Sequence, residues 1–332
     1  MRVKRRLCAW ERHQEPQKRC VLQDRMNTNS AVEFTVFGRY TARLEAHYNL
    51  NGKSTMALNW YPGHMHKASK EVVKTLLKTQ AVIEVLDART PQASSNPHFA
   101  ALCADHPRIR ILNKADLAEP RVTEQWAKYF NAQPKTICLV NGHESQLDAE
   151  QIIQAARKLF LASDIKIGER QQLLIGGIPN VGKSTLLNLF CARKLAKTGN
   201  EPAVTQVQQR VRLDDHWHLI DTPGLMWPKL EDQEGAYRLA ATGTIRRTAV
   251  EAEDIAWFLA QELLKHYRDR LVSRFDLPEE ADDAESVMTA VAKARACIKA
   301  GHRVDWHKAS ESLLNEFRSG KLGRFSLERP PL

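Results

Sequence analysis

Between residues 80 and 225 the chain alternates short apolar runs with amphipathic stretches, and these blocks predict strands and helices in turn. Ala81 to Leu86 (AVIEVL) is an apolar run ending at Asp87-Ala88-Arg89, and Ile109 to Leu112 is a second ending in Asn113-Lys114-Ala115-Asp116. A helix is expected from about Val122 to Phe130, a strand at Thr136–Val140 and a helix from Asp148 to Leu161. Gln172 to Gly176 reads as a strand running into a glycine turn, and Lys183 to Phe190 opens the next helix. Val207–Leu213 and Trp217–Ile220 are two further strands, the second ending at Asp221-Thr222-Pro223-Gly224. Alternation of this kind predicts a doubly wound, mostly parallel α/β sheet.

After Met226 the strand signal stops. Residues 235–319 carry helical periods, with Ile255, Phe258, Leu259, Leu263 and Tyr267 on one face and Val287, Val291 and Ile298 on another. Pro278 and Gly301 punctuate this stretch. The expected organisation is an extension over 1–55, an α/β domain over 56–230, a mainly helical domain over 231–320 and a loose tail over 321–332 that ends in Arg329-Pro330-Pro331. The extension mixes charged and polar residues with scattered apolar ones and has no persistent period, no apolar signal-peptide core and no transit-peptide character, since Glu11, Glu15 and Asp24 interrupt it. It is either an upstream translated stretch, with Met56 as the biological start, or a disordered basic tail.

At 43% hydrophobic and 27% charged, the 332 residues can bury real cores. Lys and Arg outnumber Asp and Glu 49 to 39, a formal charge of +10. That surplus suits a polyanionic partner such as nucleic acid, though an ordinary basic protein would carry it too. The six cysteines lie far apart and form no C-x-x-C pair, so neither a zinc site nor a disulfide framework is expected and reduced cytosolic thiols are the simple reading. No apolar run approaches membrane-spanning length, so a cytoplasmic protein with no membrane partner is expected.

Gly177-Ile178-Pro179-Asn180-Val181-Gly182-Lys183-Ser184-Thr185 matches G-x-x-x-x-G-K-[ST] between a strand and a helix. Its glycines let backbone N–H groups converge on phosphate oxygens at a helix N-terminus. Lys183 would reach the β- and γ-phosphates and the Ser184 hydroxyl would ligate Mg²⁺. Asp221 ends a downstream strand and suits a water-mediated hold on Mg²⁺, while the Gly224 N–H can meet a γ-phosphate. Asn113-Lys114-Ala115-Asp116 matches N-K-x-D, whose aspartate accepts from guanine N1–H and N2–H₂, donors that adenine lacks. A nearby Gly52-Lys53-Ser54-Thr55 is a decoy: His47 stands where the first glycine should be and no strand precedes it.

In the usual order the N-K-x-D element follows the phosphate loop, and here it precedes it. Circular permutation of a doubly wound sheet accounts for this, because it needs only neighbouring original termini and a surface break. With these residues together the chain resembles the YlqF/RbgA family of circularly permuted GTPases, the ribosome-biogenesis GTPase A group, over about residues 56–320. The resemblance is carried by Trp60-Tyr61-Pro62-Gly63-His64-Met65, Asp87-Ala88-Arg89-Thr90-Pro91, Asn113–Asp116, Gly177–Thr185, Ala196-Lys197-Thr198-Gly199 and Asp221–Pro228. It implies a circularly permuted Ras-like P-loop GTPase domain with a C-terminal mainly α-helical domain. It also implies GTP and GDP as ligands with Mg²⁺, and a role in late assembly of the large (50S) ribosomal subunit, with no DNA partner.

Leu225 follows the D-x-x-G motif where many GTPases carry a water-orienting glutamine, so that device is absent. A side chain from elsewhere, a partner group or a monovalent cation must replace it. The resemblance implies His64 as the water-positioning group; a structural or RNA-contacting histidine is the other reading. It implies K⁺ at Asn180, as in related potassium-dependent GTPases, where the cation supplies charge against the phosphates. It also implies Thr205 as the threonine closing on Mg²⁺ and the γ-phosphate, with Pro202-Ala203 in place of the family's Pro-Gly. Basic residues of the helical domain (Arg246, Arg247, Lys265, Arg268, Arg270, Arg274, Lys293, Arg295, Lys299, Arg303) are either solvated faces or contacts to ribosomal-RNA phosphates. The expected activity is a slow GTPase stimulated by the ribosomal particle. The alternatives are a passive RNA-binding assembly factor with a structural nucleotide, or a translation- or tRNA-linked GTPase.

Overall fold

A computed structural model describes residues 63–190, 209–222, 232–245, 252–299 and 303–331, with side chains from residue 70 and from residue 210 in the first two segments. The extension over 1–55, Thr205 and Gly224 lie outside the described residues.

The chain enters through helix α1 (Gly63–Leu76) and then alternates β1 (Ala81–Asp87), the short helices α2 (Pro91–Ser94) and α3 (Pro97–Leu102), β2 (Arg108–Asn113), α4 (Pro120–Asn131), β3 (Thr136–Val140) and α5 (Ala149–Ala162). β4 (Gln171–Gly176), α6 (Lys183–Phe190), β5 (Gln209–Arg212) and β6 (Trp217–Asp221) complete the sheet. Its strand order is β3-β2-β1-β4-β6-β5, parallel throughout except that β5 runs antiparallel to β6.

The apolar run in β1 is buried along its whole length because both faces of the sheet are covered. On one face Ile83 and Val85 pack with Ile109, Ile111, Leu173 and Ile175 against α5 and α6 residues such as Ile152, Phe160 and Leu187. On the other, Val82, Leu174 and Ile220 meet Val72, Val73 and Leu76 of α1 and Phe99 and Leu102 of α3, while Leu86 and Leu112 meet Val122, Trp126 and Phe130 of α4. Two buried charged residues of this layer answer each other: Glu84 and Arg110 are in register on β1 and β2 and pair at 3.1 Å. Arg110 also stacks over the Phe130 ring, 4.4 Å from its centroid.

A second core is built by α7 (Gln233–Ala241), α8 (Ala252–Phe275), α9 (Ala284–Ala294) and α10 (Trp306–Ser319), around Leu259, Leu263, Leu271, Val287, Met288, Val291, Leu313 and Phe317. Asp148, Asp232, Asp283 and Asp305 cap α5, α7, α9 and α10 by accepting an N–H of the first turn. No helix among the described residues is long and apolar enough to cross a membrane.

Two expectations need correction. Ile298 does not continue the Val287–Val291 face: it lies in the two-residue strand β7 (Ile298–Lys299), paired with β8 (Arg303–Val304), and it is exposed, while the preceding Cys297 takes the buried place. The segment after α10 is not a loose tail. Leu322, Phe325 and Leu327 are buried in the helical core, and Ser326 and Glu328 are buried beside them. The apolar residues just upstream of Arg329-Pro330-Pro331 alternate with polar ones whose partners lie on the α/β unit, so the segment carries no local sign of burial.

Leu259 is fully buried among these helices. Leu259→Ala should therefore cost about 2–5 kcal/mol, read as a lower urea midpoint for the helical unit.

Candidate nucleotide site

Parallel strands β2, β1, β4 and β6 deliver Asn113, Asp87, Gly176 and Asp221 to one edge of the sheet. Ligands of open α/β sheets bind at that carboxyl edge. The loop after β4 wraps into the first turn of α6, so its backbone donors face the same place.

Lys183 is buried at the start of α6, and its Nζ donates to the carbonyl oxygens of Gly177 and Ile178, both at 2.9 Å. Burial lowers its pKa to about 8, while the nearby Asp221 carboxylate opposes the shift. Asp221 itself is wholly buried at the end of β6. Ser184 follows Lys183 as a half-buried residue of the first helical turn, Val181 is buried, and Thr185 is exposed.

The N-K-x-D element is tied directly to this loop. Asn113 Nδ2 donates to the Val181 carbonyl at 2.7 Å, and Lys114 Nζ donates to the Asn180 carbonyl at 2.7 Å. Lys114 and Asn180 both adopt left-handed backbone conformations, with φ of 59° and 58°. Such conformations in non-glycine residues concentrate at functional sites. Gly182 has φ +101°, and a Cβ there would come within 2.3 Å of Asn113 Nδ2. The glycine is thus required by the contact that joins the two motifs.

Asp116 Oδ1 accepts from the His143 N–H at 3.1 Å. The Asn141-Gly142 loop lies against it: Ala115 N–H donates to the Asn141 carbonyl, Asn141 Nδ2 donates to Asn113 Oδ1 at 2.6 Å, and a Cβ on Gly142 would lie 2.9 Å from the Asp116 nitrogen. Beside it opens a cavity of ≈ 310 Å³ whose walls include Ala115, Asp116, Thr123, Gly142, Ser145 and Arg324.

Sequence reasoning assigned no role to Asp87 or Arg89. Asp87 is fully buried, accepts twice from the Arg89 guanidinium at 2.9 and 2.8 Å, and takes Lys114 Nζ at 3.1 Å. Burial alone would raise its pKa, but the two cations hold the carboxyl well below the usual range. A charged triplet at a strand's carboxyl end, Asp-x-Arg, was the available signal. The Thr242–Gly243 turn after α7 was also missed: Asn180 Nδ2 donates to the Gly243 carbonyl at 3.1 Å, and Arg89 reaches the Thr242 carbonyl at 3.3 Å.

The structure therefore brings Asn113, Lys114, Ala115, Asp116, Asn180, Val181, Gly182, Lys183, Ser184 and Asp221 to one edge. His64 falls in the first turn of α1, with its side chain outside the described residues. The donor set fits a Mg²⁺–nucleotide: a buried cation and a glycine loop at a helix N-terminus for the phosphates, and a hydroxyl with a buried carboxylate for the metal. Gly182→Ala should weaken GDP binding at least about tenfold in a fluorescent-nucleotide titration, from backbone strain of about 1–3 kcal/mol and the clash with Asn113.

Comparison with known proteins agrees with this geometry. The 50S ribosome-binding GTPase family matches residues 172–293. The chain is 38% identical over 282 residues to Ribosome biogenesis GTPase A of Priestia megaterium, covering 83% of this chain and 98% of that one. It is 30% identical over 293 residues to Mitochondrial ribosome-associated GTPase 1 of Bos taurus, covering 81% and 88%. The crystal structure of GNP-bound YlqF from T. maritima shares the fold, with a TM-score of 0.56 and 22% identity over 80% of this chain and 98% of that one. The permuted motifs, the strand order that reunites them and these similarities together make the chain a member of the ribosome biogenesis GTPase A family.

Proposed function

We propose that this GTPase acts in assembly of the large ribosomal subunit, binding the subunit or its precursor in one nucleotide state and leaving it after GTP hydrolysis. The observation that carries the reading is the pair of bonds from Asn113 and Lys114 to the phosphate loop, which join a guanine motif and a phosphate motif far apart in sequence. The names of the relatives supply the ribosomal partner.

Asp116 reads guanine through its N1–H and N2–H₂, and Lys114 holds the reader against the loop. Asn180 to Thr185 cradle the phosphates, with Lys183 released from the Gly177 and Ile178 carbonyls to meet them. Ser184, Thr205 and Asp221 would hold Mg²⁺, which would supply positive charge to neutralise the phosphates. The Gly224 N–H senses the γ-phosphate. His64 positions the attacking water, a task for which an imidazole is suited. Asn180 has its side-chain Oδ1 to offer K⁺, since Nδ2 is the side-chain atom that donates to the Gly243 carbonyl. Basic residues of the helical unit meet rRNA phosphates, and the working location is the cytoplasm.

Sedimentation with ribosomal particles in the presence of GTP analogue or GDP tests the reading. Nucleotide-dependent co-sedimentation with the large subunit and particle-stimulated hydrolysis are expected; hydrolysis that no particle stimulates would favour a passive RNA-binding factor. His64→Ala should lower turnover with GDP affinity unchanged, and normal hydrolysis by this variant removes His64 from the mechanism.

A further inference from the structure

The last residues of the described chain form an extended, two-faced segment. Phe325 and Leu327 point into the helical core, where Phe325 meets Tyr267 edge-on at 4.8 Å between ring centroids. The hydrogen-bonding groups of the same segment face the α/β domain. Phe325 N–H donates to the Leu117 carbonyl at 2.9 Å, and Ser326 Oγ accepts the Glu119 N–H at 3.1 Å. Leu327 N–H donates to the Arg89 carbonyl at 2.8 Å, and the Glu328 carboxylate accepts from the N–H groups of Gln92 at 2.7 Å and Ala93 at 3.0 Å. Trp126 Nε1 donates to the Glu328 carbonyl at 3.3 Å.

These partners are not scattered. Leu117 and Glu119 lie within three residues after Asp116, and Arg89, Gln92 and Ala93 within six residues after Asp87, the carboxylate that holds Lys114. The segment thus grips, from outside, the loop that carries the base-reading element and the loop that follows Asp87. At its near end Arg324 pairs with Glu144 at 2.7 Å across the cavity beside Asp116. At its far side Tyr267 anchors it, donating its hydroxyl to the Ser326 carbonyl at 3.0 Å and accepting the Ser326 N–H at 2.9 Å. Arg270 adds a link to both sides, bonding the Arg324 carbonyl and the Glu119 carboxylate.

We propose that Arg324–Glu328 is a positioning element for guanine recognition: a strap that fixes the 114–119 loop so that Asp116 meets the base. The strap touches none of the phosphate-loop residues in these bonds, so its influence is on the base side of the site. Without Ser326 Oγ the half-buried Glu119 N–H loses its acceptor, and the loop loses the bond that holds it in place. A displacement of Asp116 by a fraction of an ångström degrades its hydrogen bonds to the base, whose strength depends on distance and angle.

The inference rests on the assignment of Asp116 as the guanine reader, and the test separates the two. Dissociation constants for GDP and for inosine diphosphate, which lacks the 2-amino group, are measured for the full chain, for Asp116→Asn, Ser326→Ala and Tyr267→Phe, and for a chain ending at Gly323. Ser326→Ala and Tyr267→Phe preserve packing, so they remain informative if the shortened chain does not fold. The wild type should prefer GDP, and Asp116→Asn should lose that preference. The strap variants should bind GDP about fivefold more weakly and show a GDP-to-inosine-diphosphate preference reduced about threefold, because a displaced Asp116 loses the bond to the 2-amino group. A general loosening of the fold would weaken both ligands alike and leave the ratio intact, which overturns the strap. A wild type without preference, or an Asp116→Asn variant that keeps it, overturns the base-reading assignment and the strap with it.

Discussion

Asp87 sits fully buried at the carboxyl end of β1 with a guanidinium on both of its oxygens and an ammonium on one of them. A buried carboxylate survives only if it is paired, and removing one partner of such a pair typically costs about 3–5 kcal/mol. This constraint sets much of the surrounding geometry. Lys114, pulled toward Asp87, takes a left-handed backbone conformation that a lysine rarely adopts, and from there its Nζ also reaches the Asn180 carbonyl. Arg89, paired with Asp87, reaches the Thr242 carbonyl with the same Nη2 that donates to Asp87, and its guanidinium lies over the Phe317 ring, 5.3 Å from its centroid. One carboxylate is therefore linked, through Lys114 and Arg89, to the phosphate loop and to the helical unit at the same time.

The parts of this arrangement visible in the sequence were those written locally. β3 and α6 were found to the residue, because an apolar run or an amphipathic turn declares itself within a few positions. The glycine loop and the N-K-x-D element were legible because each motif's chemistry is carried by adjacent residues, and their reversed order was enough to imply a permuted sheet. The short helices α2 and α3 and the helix α1 were not assigned, since Pro91 and Pro97 read as turns before they read as helix starts. The roles of Asp87 and Arg89 depend on Lys114 and Thr242, which are remote in sequence. The strap was misread for the same reason. Its polar residues look solvated until Leu117, Glu119 and Arg89 are placed opposite them.

The helical unit is thus fastened to the α/β unit in two chemically different ways. On the phosphate side the contacts are few: Asn180 donates to the Gly243 carbonyl and the buried Arg89 to the Thr242 carbonyl, and the Thr242–Gly243 turn is held from behind by Arg318, which caps the Ala240 and Ala241 carbonyls at the end of α7. A single neutral bond of this kind is worth about 0.5–1.5 kcal/mol, little enough for Asn180 to exchange Gly243 for another partner. On the base side the fastening is a run of bonds from consecutive residues, backed by Phe325 and Leu327 in the core, and such a run gives way only as a unit. The difference follows from the permutation. The chain leaves the sheet after Asp221, on the phosphate side, and returns to it at Phe325 on the base side, so the helical unit bridges the two halves of the site.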